Sequence, residues 1–295
     1  MWFRNLSGLA LLCAAPAAWS CASCLCGDYT LTLMGVEKNF PGRLRLALDA
    51  VSREETHGTD SGREVLTERR TVLGLSYAAT QDLSLAVRLP YVAKRTQAAN
   101  LASESAAGLG DAELLFKWTL AADGRAPSRH LWGLQGGLGL PTSRQERHGD
   151  GRPVDIDSQP GTGAWTPSLG AWYGYFRFPR LLHASLVAQD PVGGYQGYNG
   201  GTALLGTVSG QYALSTAWSL QLGLEARWAQ PNRFSGVEDP DSGGVAAFVA
   251  PGVLWSPRTD WLLHLAVQWP ALQNLQGEQH ERGDIRLGLA VDFAD

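Results

Sequence analysis

Apolar and polar residues alternate along this chain in about twelve separate segments between Arg43 and Phe293. A period of two is the geometry of a β-strand, whose successive side chains point to opposite faces. Each strand therefore has one face against an apolar medium and one against something polar. Residues 82–93 set Leu83, Leu85, Val87 and Leu89 against Ser84, Ala86 and Arg88. Residues 284–293 set Ile285, Leu287, Leu289, Val291 and Phe293 against Arg286 and Asp292. The same pattern is read at 43–52, 66–78, 110–120, 131–140, 164–178, 181–189, 202–213, 218–229, 245–255 and 261–269.

The connections alternate between short and long. Short ones lie at 79–81, 121–130, 179–180, 214–217 and 256–260. Long ones, rich in Gly, Pro, Asp and Ser, lie at 53–65, 94–109, 141–163, 190–201, 230–244 and 270–283, and read as solvated loops. This rhythm predicts an all-β fold: a closed antiparallel up-and-down transmembrane barrel of about twelve strands. Its short turns and both chain ends would face the periplasm and its loops the outside. The expected location is the bacterial outer membrane, with its lipid as one partner. A secreted β-sandwich also alternates. It would have to bury its aromatic residues, and would also bury, or place outside, pairs such as Asp111/Glu113 and Glu225/Arg227.

Aromatic residues agree with two lipid–water boundaries, where such rings are enriched. Tyr77, Trp118, Trp132, Phe178, Tyr212, Trp218, Trp255, Trp261 and Phe293 lie beside short turns or the C-terminus. Trp165, Trp228, Phe248 and Trp269 are read as a second girdle near the loops.

The first residues read as a secretory leader: Arg4, an apolar stretch from Leu6 to Trp19, then small residues allowing cleavage before Cys21. This divides the chain into a leader at 1–20, a periplasmic cysteine-containing segment at 21–42 and an outer-membrane barrel at 43–295. The net charge is −4, and no basic run is present, which argues against a nucleic-acid partner.

Two constellations could carry chemistry. Cys21, Cys24 and Cys26 are clustered just after the leader. They could hold a soft metal ion, form a disulfide, or leave Cys24 and Cys26 as a pair if Cys21 is lipidated. Such a cluster could also dock an electron-transfer or other periplasmic partner. The second constellation is polar and faces the predicted lumen. Arg43, Arg45, Arg70, Arg88, Lys117, Arg227 and Arg286 share it with Asp49, Asp111, Glu113, Glu225, Asp292 and His264. These charges either pair with one another and fill the barrel or orient a small polar solute. Asp241-Ser242-Gly243-Gly244 echoes a protease nucleophile loop but lacks a matching histidine, so it reads as a turn and no catalytic residue is expected.

Residues Cys24-Leu25-Cys26-Gly27-Asp28-Tyr29-Thr30-Leu31-Thr32, followed by Met34-Gly35, resemble the N-terminal signature of a bacterial outer-membrane transporter family. Leu75-Ser76-Tyr77 and Gly108-Leu109-Gly110-Asp111-Ala112-Glu113-Leu114 are similar to that family as well. Tyr29 stands where the family carries proline. The family is related to the proteins named for the meta-pathway of phenol degradation. The resemblance implies an outer-membrane barrel that is a channel or transporter for small solutes, among them small aromatic or hydrophobic compounds, and not an enzyme.

Overall fold

The computed structural model of the protein describes residues 33–35, 40–58, 62–125 and 128–293. The leader and the three clustered cysteines lie outside the described residues. Twelve antiparallel strands close on themselves. They are β1 (Leu44–His57), β2 (Glu64–Ala78), β3 (Leu83–Ala98), β4 in two pieces (Ser103–Leu109 and Ala112–Ala122), β5 (His130–Leu140) and β6 (Thr166–Arg177). They continue as β7 (Arg180–Gln189), β8 (Ala203–Ala213), β9 (Trp218–Ala229), β10 (Gly244–Trp255), β11 (Trp261–Leu275) and β12 (Asp284–Phe293). Each strand pairs with its neighbours in sequence. Closure comes from β1, which pairs with β2 from Leu44↔Tyr77 to His57↔Glu64 and with β12 from Leu44↔Phe293 to Ser52↔Ile285. A closed sheet leaves no row of unpaired backbone groups, the condition for crossing hydrocarbon with strands.

The period-two pattern maps onto this cylinder directly. Leu44, Leu46 and Leu48 of β1, Leu85 and Leu89 of β3, and Leu220, Leu222 and Leu224 of β9 are exposed on its outside. Arg45, Arg88 and Arg227, on the other face of the same strands, are buried within it. A continuous apolar belt around a molecule with a charged interior inverts a soluble core. At the short-turn end Tyr77, Trp118, Trp132, Tyr212, Trp218 and Trp255 are exposed, and Trp218 stacks on Trp255 with ring centroids 5.5 Å apart.

Several expectations need correction. Phe248 does not join the second girdle: it is 4% exposed and packs inward on Ala246 beneath Leu275. It shares the inward face with Ala246 and Ala250, so its ring fills the lumen side. Stretches expected as loops at 53–65, 94–109 and 270–283 are largely strand. Polar residues there continue the ladder beyond the apolar belt, as in Lys94↔Ala106 and Glu55↔Glu281. The remaining long loops, residues 141–165, 190–202 and 230–243, fold over the mouth instead of standing free in solvent. Tyr198–Asn199, Arg233–Phe234 and Val237–Glu238 make a small sheet joining two of them.

Candidate functional site

The lumen differs along its length because the inward side chains differ in size. Near the short-turn end the wall presents Ala47, Gly74, Ser76, Ala86 and Ala290. Small residues on facing strands leave room, and the chain fills it with its own N-terminal segment. Leu33 and Met34, in a helical turn, are each 2% exposed and pack on Ala47, Ala86 and Ala290, with Leu115 and Leu262 alongside. Burying two such side chains stabilises the seat by about 1.5–3 kcal/mol each before ordering is counted. A Cβ on Gly74 would lie 2.7 Å from Leu33 Cδ1, so any larger residue there must displace the Leu33 side chain.

The last carbonyls of a helical turn lack partners within it. Here three consecutive ones are met by the barrel wall. Ser76 Oγ donates to the Leu33 carbonyl at 2.6 Å, Arg43 Nη2 to Met34 at 3.3 Å and Lys117 Nζ to Gly35 at 2.7 Å. Lys117 also lies 4.4 Å over the Trp172 ring, which stacks on His183. Of the segment expected in the periplasm at 21–42, residues 33–35 are seated inside the barrel, while residues 40–42 are exposed.

Two cavities occupy the rest. One, of about 360 Å³, lies beside the plug and is lined by Gly35, Arg45, Asp49, Glu225, His264 and Arg286 among others. The other, of about 220 Å³, lies under the long loops and is lined by Arg70, Arg88, Lys94, Asp111 and Glu113 on one side. Ser185, Val187, Leu205 and Thr207 line its opposite side. Thr207 borders both cavities. At this waist the charges are paired. Arg88 donates to Glu113, its cross-strand neighbour, at 2.6 Å, and Arg286 bridges Glu225 at 3.1 Å and Asp284 at 3.1 Å. Gln268 completes that group through Glu225 at 2.8 Å. Asp49 faces both Arg88 and Arg286. Nearer the short-turn end Arg45 grips Asp292 through two bonds of 2.5 and 2.7 Å. Toward the loops Arg227 bonds Glu281.

Asp111 holds the roof. It sits where the two pieces of β4 meet, and both of its carboxylate oxygens are used. Oδ1 accepts from Ser143 N at 3.1 Å and Ser143 Oγ at 2.7 Å. Oδ2 accepts from Thr162 N at 2.8 Å and Gly163 N at 2.9 Å. Tyr195 from the next loop donates to the Ser143 carbonyl at 2.5 Å. The Asp241-Ser242 motif is structural: buried Ser242 donates to the Asp239 carbonyl and accepts from Asn232 N, both at 2.8 Å. Burial pushes the neighbouring Asp239 carboxyl up to about 6.

Each of the thirteen charged or histidine residues expected inside is thus placed on the lumen side. Three serve roles that the pattern did not announce, Arg43 and Lys117 as clamps on the plug and Asp111 as anchor of a loop. Sequence reasoning missed Leu33 and Met34, although an apolar turn followed by Gly35 was a usable signal. Lys94 was missed because its strand was read as ending at residue 93, five residues short of Ala98. Among the described residues no group of three or more His, Cys, Asp or Glu could hold a metal ion.

No protein-family profile and no curated protein matches the chain. Solved structures do. The barrel is similar to the COG4313 outer membrane channel from Pseudomonas putida F1, with TM-score 0.70 at 16% identity over 88% of this chain and 98% of that one. It is also similar to the translocator domain of the autotransporter NalP from Neisseria meningitidis, with TM-score 0.51 at 13% identity over 90% and 93%. The fold is that of a twelve-stranded outer-membrane barrel.

Proposed function

We propose that this chain is an outer-membrane channel that admits small solutes and whose short-turn end is closed by its own N-terminal segment. The observation that carries the reading is the lumen itself. Thr207 lines both cavities, and the deeper one runs beside Gly35 of the plug to the short turn at Ser256, Thr259 and Asp260. A barrel built only as an anchor has no need of internal space lined by charged groups. The apolar residues Leu205, Val187 and Leu115 in the outer cavity favour solutes with an apolar body. Small aromatic compounds are of suitable size. The likeness to a protein described as an outer membrane channel supports the reading. In this arrangement residues 1–20 are the leader, the termini lie on the periplasmic side, and a partner or signal there displaces the plug.

Liposome swelling tests it. Full-length protein should pass small solutes slowly, and the variant carrying Leu33→Asp and Met34→Asp should pass them several-fold faster. If both proteins leave the vesicles sealed while still migrating as folded barrels, the channel reading fails.

A further inference from the structure

Lys94 is 6% exposed on the inward face of β3 and lines the outer cavity. It makes no hydrogen bond or ion pair of 4.0 Å or less with any described residue. The other cations around the cavity are engaged. Arg70 donates to Glu68 Oε1 at 2.8 Å, and Arg88 is bound to Glu113. The carboxylate nearest in register, Glu68, is spent on two arginines, because its second oxygen accepts from Arg53 at 3.0 Å. Asp111, the remaining acid on the cavity wall, is turned to the roof and saturated by Ser143, Thr162 and Gly163. Glu68 and the buried Asp157 act on this ammonium only from beyond ion-pair distance. A buried ammonium without a direct carboxylate partner is costly, and an anion brought into the cavity removes that cost.

The opposite wall has a different character. Val187, Leu205 and Thr207 face the cavity from β7 and β8 without a charge among them. Pro90 and Leu115 extend the apolar surface beside the cations. A ligand satisfying both sides carries one anionic group and a compact apolar body. The volume of about 220 Å³ admits a single ring with its substituent and little more.

We infer that the outer cavity is a binding site for small organic monoanions, an aromatic carboxylate being the type, with Lys94 as the anchor of the charged group. The inference rests on the channel reading for its purpose, since it makes the site a selectivity station on the route inward. It stands on its own for binding.

The test uses full-length protein in detergent and benzoate as probe, with binding measured by calorimetry. Benzyl alcohol replaces the carboxylate with a neutral group, and acetate removes the ring. Wild-type protein should bind benzoate at least about tenfold more tightly than either. Lys94→Met should weaken benzoate binding by about tenfold or more and leave benzyl alcohol unchanged. Lys94→Arg should retain most of the affinity, which separates loss of the charge from loss of the fold. Equal binding of benzoate and benzyl alcohol by wild-type protein would overturn the proposal, as would benzoate binding untouched by Lys94→Met. Acetate competing as well as benzoate would reduce the site to one for bare anions and overturn the apolar half. Liposome swelling run in parallel keeps the two readings apart: sealed vesicles with intact benzoate binding defeat the channel and not the site.

Discussion

The two halves of the lumen are built by the same twelve strands and end up unlike. In the short-turn half several inward positions are small, at Ala47, Gly74, Ser76, Ala86 and Ala290; Leu33 and Met34 fill the space over them, and a cavity of about 360 Å³ lined by Arg45, Glu225 and Arg286 remains beside the plug. In the long-loop half they are large and charged, at Arg53, Glu68, Arg70, Arg88 and Lys94, and the space is left open beneath a polar roof. Apolar contact seats the plug in one half. Ion pairs prop the other. In this barrel side-chain volume sets where the chain can re-enter, and side-chain charge sets where it must stay hollow.

The contrast can be attacked from either side. Thr207 borders both cavities, so Thr207→Trp placed on the Leu33→Asp, Met34→Asp background should abolish the conductance that background releases. Planar-bilayer recording measures this, and an unchanged step size would mean that the cavities are not in series. Gly74→Leu should unseat Leu33 and raise conductance of the otherwise native chain several-fold, since its side chain would enter the space Leu33 Cδ1 now holds. Lys117→Met loses a charged hydrogen bond worth about 1.5–3 kcal/mol, so the open fraction should rise about tenfold or more in the same recordings.

Effects on the roof are smaller. Asp111→Asn sets an amide where four N–H and O–H donors converge, weakening the loop by about 1–3 kcal/mol. Limited proteolysis should then cut residues 141–165 faster while leaving the barrel intact. The loop at 230–243 should respond to pH. The Asp239 carboxyl, ordinarily near 3.8, is held at about 6 by burial, so the folded loop binds its proton more tightly than the unfolded loop. Its stabilising contribution is complete below about pH 3.8 and is lost as pH rises through about 6. Amide exchange in this loop, corrected for intrinsic rates, should show more opening at pH 7.5 than at pH 5, and Asp239→Asn should flatten the difference.

Much of the wall was legible because a strand crossing lipid must alternate. Leu85 and Arg88 announce their faces by position alone, and so do Leu224 and Glu225. Strand ends were less legible. Once β1, β3 and β11 leave the apolar belt, both faces become polar and alternation vanishes while the ladder continues, which is why Lys94 and Glu281 read as loop. Phe248 misled because an aromatic near a loop fits a girdle equally well from either face. The plug was hidden for another reason: Leu33 and Met34 make contacts with residues far along the chain, at Ala86 and Ala290, and no local period encodes them.

The most direct test of the plugged channel is single-channel recording of the wild-type chain beside the Leu33→Asp, Met34→Asp variant under identical salt and voltage. The account predicts a wild type that is closed most of the time, and a variant with long-lived openings of larger step size. Identical traces from the two, with both barrels folded, would contradict it.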